Sequence, residues 1–126
     1  MPKDLNLSRF HGSTLDQIGL GRNVLEFSFS GGQYIEVEGL WQLLDSSGTV
    51  LDQGRPARVG FANDGDDNRS KRTWNVNVLL GEAIESTEVN APESFSLVFT
   101  SGSRIRIFDD SKDYESFSIQ PGDIFV

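Results

Sequence analysis

The stretch FSFSGGQYIEV at residues 27–37 is the strongest indication of the fold, because LVFTSGSRIRI at residues 97–107 repeats its pattern. In both stretches, apolar residues recur at every second position on either side of a short Gly-containing turn. Such alternation around a turn is typical of a β-hairpin. One hairpin is marginally stable in water, whereas two can cover each other's apolar faces. The repeat therefore predicts a mainly-β domain with two similar halves.

The repeat also sets the expected boundaries within one 126-residue domain. Residues 24–54 form the first β repeat, residues 55–72 a polar loop and residues 73–126 the second β repeat. We expect antiparallel hairpins or meanders packed as a sandwich or a partly open barrel, with at most one or two short helices, and an α+β class stays open as the alternative. The strand pairings that would distinguish these architectures do not follow from the pattern. The matched positions are Phe27, Phe29, Gly32, Ile35 and Val37 in the first copy and Leu97, Phe99, Gly102, Ile105 and Ile107 in the second.

Two segments between the repeated hairpins add further expectations. Residues 40–44 and 49–52 are expected to pair around the polar turn at 45–48, with Trp41 in the core. Residues 73–81, TWNVNVLLG, fit either a strand or a short helix.

Length and composition limit the class of protein. A chain of 126 residues can bury a core without cross-links. The absence of cysteine excludes disulfides, thiolate nucleophiles and cysteine-based zinc sites. The N-terminal residues lack the apolar core of a signal peptide, and no stretch approaches the ~20 apolar residues of a membrane span. We therefore expect a soluble, cytoplasmic protein.

The charge balance indicates the kind of partner. Nineteen acidic residues against eleven basic ones give a formal net charge of −8. This excess opposes nonspecific nucleic-acid binding, which depends on neutralising phosphates. It favours a basic protein partner, because complementary charge speeds association, although a net charge of this size also keeps small domains soluble.

No motif for catalysis or for metal binding is present. His11 is the single histidine, and no Gly-x-Ser-x-Gly elbow occurs, so the sequence predicts a protein that is not an enzyme. Residues 63–68, NDGDDN, carry oxygen ligands of the kind that calcium prefers. Their spacing departs from the calcium-binding loop, so we predict no metal and no other cofactor.

One surface stands out as a candidate partner-binding site. On the second strand of the first hairpin, Tyr34 alternates with the apolar Ile35 and Val37, so it lies on the polar face. Tyrosine is enriched at the energetic centres of interfaces, and acidic side chains accompany it here. The predicted partner-binding residues are Tyr34, Glu36, Glu38, Asp64, Asp66 and Asp67.

The second half resembles a group of small bacterial domains of unknown function. The similarity rests on Leu79-Leu80-Gly81 followed by Ile84, the hairpin at 96–107, and DYESFSI at 113–119. Some members of this group are similar to immunity proteins of polymorphic or contact-dependent toxin systems. The resemblance implies a small acidic cytosolic protein that blocks a toxin by covering its active site. It carries over no catalytic residue.

Two alternatives stay open at the level of sequence. The chain could be a small-ligand or metal-binding β module that uses the 63–68 loop or a cleft between the halves. A hydrolase has the least support, because its acid and base would be carboxylates without a recognisable motif.

Overall fold

The computed structural model describes residues 5–21, 24–55, 75–109, 117–120 and 124–125. Short 3-10 helices at Ser8–Phe10 and Asn75–Leu79 precede the strands of each half. The strands are β1 (Leu15–Leu20), β2 (Leu25–Phe29), β3 (Tyr34–Val37), β4 (Trp41–Leu44), β5 (Val50–Gly54), β6 (Ile84–Asn90), β7 (Ser94–Phe99), β8 (Arg104–Phe108), β9 (Phe117–Gln120) and β10 (Ile124–Phe125).

These strands form two antiparallel sheets of five strands each. The first sheet has the order β1-β2-β3-β9-β10, and the second has the order β5-β4-β8-β7-β6. Apolar side chains from both sheets form one core, in which the rings of Phe95 and Phe117 meet edge to face with centroids 4.9 Å apart. The mainly-β class is confirmed, and of the two expected architectures the sandwich is the observed one, since neither sheet closes into a barrel among the described strands.

The predicted hairpins are confirmed. In β2–β3, Phe27 lies opposite Ile35, and in β7–β8, Leu97 lies opposite Ile105. The β4–β5 hairpin is also present, and Trp41 is fully buried. Of the two interpretations of residues 73–81, the short helix is the observed one over 75–79, where Val76 and Leu79 enter the core.

The two halves exchange their last strands. After Val37 the chain crosses from the first sheet to the second, where β4 pairs with β8 of the other half. In return, β9 pairs with β3, so that Phe117 lies opposite Val37. Each sheet therefore contains three strands from one half and two from the other. The halves are interlocked, and neither builds a complete sheet from its own strands.

The equivalence of the halves extends to local irregularities. The pairing of β1 with β2 shifts register between Leu15 and Gln17, and the pairing of β6 with β7 shifts between Ile84 and Ser86. Such bulges bend an edge strand and increase its twist. Here they occur at the same place in both copies, which makes β1 and β6 counterparts.

Candidate functional site

The outer surface of the first sheet carries the predicted acidic residues. On β3, the half-exposed Tyr34 and Glu36 alternate with the buried Ile35 and Val37, as the period of a strand requires. Glu38 follows directly after β3 and is also half-exposed. We call Glu26, Tyr34, Glu36 and Glu38 the acidic face.

Two carboxylates of the acidic face lie on neighbouring strands in direct register. Glu26 of β2 is the cross-strand partner of Glu36 of β3. Like charges at directly opposite positions destabilise a sheet. Within the described part of the chain, neither residue takes part in an ion pair. The pair therefore concentrates negative charge at a cost to the fold.

Glu26 is a site residue that the sequence analysis missed. The signal was present, because Glu26 lies between the apolar Leu25 and Phe27 and must face outward. The register of the hairpin then places Glu26 opposite Glu36. The register depends on the turn between the strands as well as on the alternation within each strand.

The flanks of the carboxylate pair differ. Beside Glu36, the buried Ser118 of β9 places its hydroxyl 3.5 Å from Oε1. Beside Glu26, the neighbouring position on β1 is Gly19, which has no side chain to cover the carboxylate. A shallow depression of about 230 Å³ opens there, lined by both glutamates and by Gly19, Leu20, Gly21 and Val24. Val24, which is partly buried, also lines the depression, so apolar surface adjoins the two charges.

Three of the predicted site residues cannot be compared with this surface. Asp64, Asp66 and Asp67 lie outside the described residues. His11 is exposed, and its Nε2 lies 3.1 Å from Oγ1 of Thr87. In the part of the chain that the structure describes, no group of three or more His, Cys, Asp or Glu side chains could hold a metal ion.

The outer face of the second sheet has the opposite character at equivalent positions. Ser96 and Arg106 are cross-strand partners there, in the places that Glu26 and Glu36 occupy in the first sheet. On the same face, Arg104 forms a salt bridge of 3.0 Å with Glu88. The acidic pair is therefore a property of one sheet and not of the repeated framework.

No protein-family model, curated protein or solved structure matches the chain. Among the described residues, no helix has the length and apolar character needed to cross a membrane.

Proposed function

We propose that this chain is a non-enzymatic binding domain whose acidic face receives a basic protein. The observation that carries the proposal is the register of Glu26 against Glu36. Two like charges in this position raise the energy of the free domain, and a cation placed between them lowers it. Binding of a cation therefore relieves part of the electrostatic repulsion that destabilises the free protein.

The surroundings of the pair suit a lysine or arginine side chain. Such side chains bury an aliphatic stem while a charged end group stays polar. The neighbouring Val24 offers apolar contact for the stem, and Glu26 and Glu36 offer acceptors for the end group. Tyr34 adds a half-exposed aromatic ring to the same face, of a residue type enriched at the energetic centres of interfaces.

The partner that we favour is a bacterial toxin with a basic active-site cleft. An inhibitor with a net charge of −8 is attracted to such a cleft over several ångströms, which speeds association. This proposal takes the chain as an immunity protein that masks the active site of the toxin. Asp64, Asp66 and Asp67 remain predicted partner-binding residues in this proposal.

The first experiment is a pull-down of the tagged chain from its native lysate at low and at high salt, with mass spectrometry of the retained proteins. We expect a basic protein that is lost at high salt, because screening weakens exposed charge contacts. Its purified form is then titrated with the wild-type chain and with the Glu26→Gln/Glu36→Gln variant. We expect the variant to bind about tenfold or more weakly.

The matched control is Glu85→Gln/Glu93→Gln, which removes the same charge from two exposed positions outside the acidic face. This control should retain close to wild-type affinity at physiological salt. If both variants lost the same affinity, net charge alone would account for the effect. This result would overturn the assignment of the acidic face. Co-expression with a toxin encoded beside the gene tests the immunity role, since cells must survive with the wild-type chain and die without it.

A further inference from the structure

Arg106 on the outer face of the second sheet is held in one conformation by two contacts. Its Nε donates a hydrogen bond of 2.9 Å to Oγ of Ser94, which is fully buried. Its guanidinium carbon lies 4.7 Å from the centroid of the Phe108 ring, in a cation-π contact. Together these contacts fix the orientation of the guanidinium plane.

The two contacts leave the outer donors of the guanidinium available. Within the described residues, the terminal nitrogens of Arg106 have no hydrogen-bond or ion-pair partner. Arg104, two residues earlier on β8, instead uses its terminal Nη1 in the salt bridge with Glu88. Arg106 is thus a half-buried cation whose charge has no carboxylate partner in the described part of the chain.

Such a group is suited to bind a carboxylate. Arginine presents parallel N–H donors that match the two oxygens of a carboxylate, and hydrogen bonds between charged groups are stronger than neutral ones. Binding normally costs the rotational freedom of the arginine side chain. At Arg106 the contacts with Ser94 and Phe108 already restrict this rotational freedom before a ligand binds.

The neighbours of Arg106 across the strands are neutral and polar. Ser96 of β7 and Gln42 of β4 are its cross-strand partners. The Nε2 of Gln42 donates a hydrogen bond of 3.1 Å to Oε1 of Gln53. No carboxylate occupies these flanking positions, and Ser96 is almost fully buried.

We propose that Arg106 forms a binding site for a carboxylate presented by a peptide. A single available guanidinium balances one negative charge, and the net charge of −8 opposes a multiply charged anion such as a phosphate dianion. The carboxylate can come from an acidic side chain or from a chain end. The site lies on the second sheet, and the acidic face lies on the first. The test of the site is therefore independent of the proposed function.

The test is a nitrogen-15 NMR titration of the full chain that follows the Nε–Hε signal of Arg106 and the side-chain amide of Gln42. Sodium acetate is the first probe, with sodium chloride at matched ionic strength and sodium phosphate as comparisons. We expect saturable shifts with acetate, with a dissociation constant in the millimolar range, and a smaller response to phosphate. Shifts with acetate that equal those with chloride would overturn the proposal.

Two variants separate a binding site from a charge effect. Arg106→Lys keeps the charge but loses the paired donors, so the saturable shift of Gln42 should disappear, whereas the control Arg104→Lys should retain it. If Arg106→Lys does not fold, Ser94→Ala releases Nε while keeping Arg106, and it should weaken acetate binding severalfold. Unchanged acetate binding in these variants would contradict the role of Arg106.

The source of the carboxylate is distinguished with two blocked amino acids. N-acetyl-aspartate amide presents a side-chain carboxylate, and N-acetyl-alanine presents a chain-end carboxylate. Tighter binding of the first assigns the site to an acidic side chain, and tighter binding of the second assigns it to a C-terminus.

Discussion

Thr14 and Ala83 pair with each other as an isolated antiparallel bridge, at the axis that relates the two halves of the chain. They are counterparts, each lying one residue before the first strand of its half. The backbone hydrogen bonds on either side match in pairs. They run from Gly12 N–H to the oxygen of Ile84 and from Gly81 N–H to the oxygen of Leu15. The halves therefore meet as two equivalent parts of one folding unit.

Because both sheets mix strands from both halves, damage to one half should weaken the other. Phe117 of β9 packs against Phe95 of the opposite sheet, and Phe117→Leu should cost about 1–2 kcal/mol by leaving a small void. Hydrogen exchange should show a parallel loss of protection in β2–β3 and in β7–β8. A loss of protection that is confined to the first sheet would contradict the interlocking of the two halves. Val78→Ala, at a 61% exposed position, is the control and should change stability by less than about 0.5 kcal/mol.

The two hairpin glycines should differ in their tolerance of a side chain. Gly32 and Gly102 have positive φ angles of +90° and +93°, so alanine strains both by about 1–2 kcal/mol. Only at Gly102 would the new Cβ approach another side chain, at 2.9 Å from Cβ of Ser46. Gly102→Ala should therefore cost about 1 kcal/mol more than Gly32→Ala in chemical denaturation.

A double-mutant cycle tests the cause of that difference. Ser46→Gly removes the contacting Cβ and leaves Cα at an ordinary 3.8 Å, so it should rescue part of the loss in Gly102→Ala. It should not rescue Gly32→Ala, which has no atom within 4 Å. Equal coupling to both glycines would contradict the contact.

Gln33 ties the segment before β1 to the first hairpin. Its side chain is buried, and its Nε2 donates to the backbone oxygen of Arg9 at 2.6 Å and to Oγ of Ser13 at 2.8 Å. Gln33→Ala should cost about 1–3 kcal/mol, because a part-buried acceptor loses its donor. We expect faster proteolysis near residues 5–13. Ser103→Ala is the matched control, since the backbone oxygens of Gln33 and Ser103 accept equivalent bonds from Phe29 and Phe99.

The β4–β5 turn should contribute a pH-dependent part of the stability. The hydroxyl of Ser47 and the backbone N–H of Thr49 donate to Asp45 and hold the pKa of its carboxyl below the ordinary 3.8. A depressed pKa stabilises the fold above the unfolded value, and this contribution disappears as the pH falls through the lower folded value. Asp45→Asn should therefore melt below the wild type at neutral pH.

The difference in melting temperature between wild type and Asp45→Asn should shrink as the pH falls below 3.8. Asp16→Asn removes the same charge at an exposed position and reports the general effect of net charge. A difference for Asp45→Asn that stays constant across this range would contradict the role of the ionised carboxyl.

Much of the fold was predictable because its signals are local. The alternation around Gly32 and Gly102 assigns inward and outward residues without reference to the rest of the chain. The same reasoning placed Trp41 in the core and Glu36 on the outer face, where the structure has them. It did not pair Glu26 with Glu36, because that step needs the register of the hairpin as well as its faces.

The mainly-β class, the repeated hairpins and the polarity of each strand face follow from the amino-acid sequence, since these depend on the period of two along one strand. The pairing of β4 with β8 and of β9 with β3 is evident only in the folded chain. Pairing between distant strands depends on loop closure and on the burial of both sheets together, which no local pattern encodes. The same long-range pairing sets Ser118 beside Glu36 and Gln42 beside Arg106, and so gives the two outer faces their different chemistry.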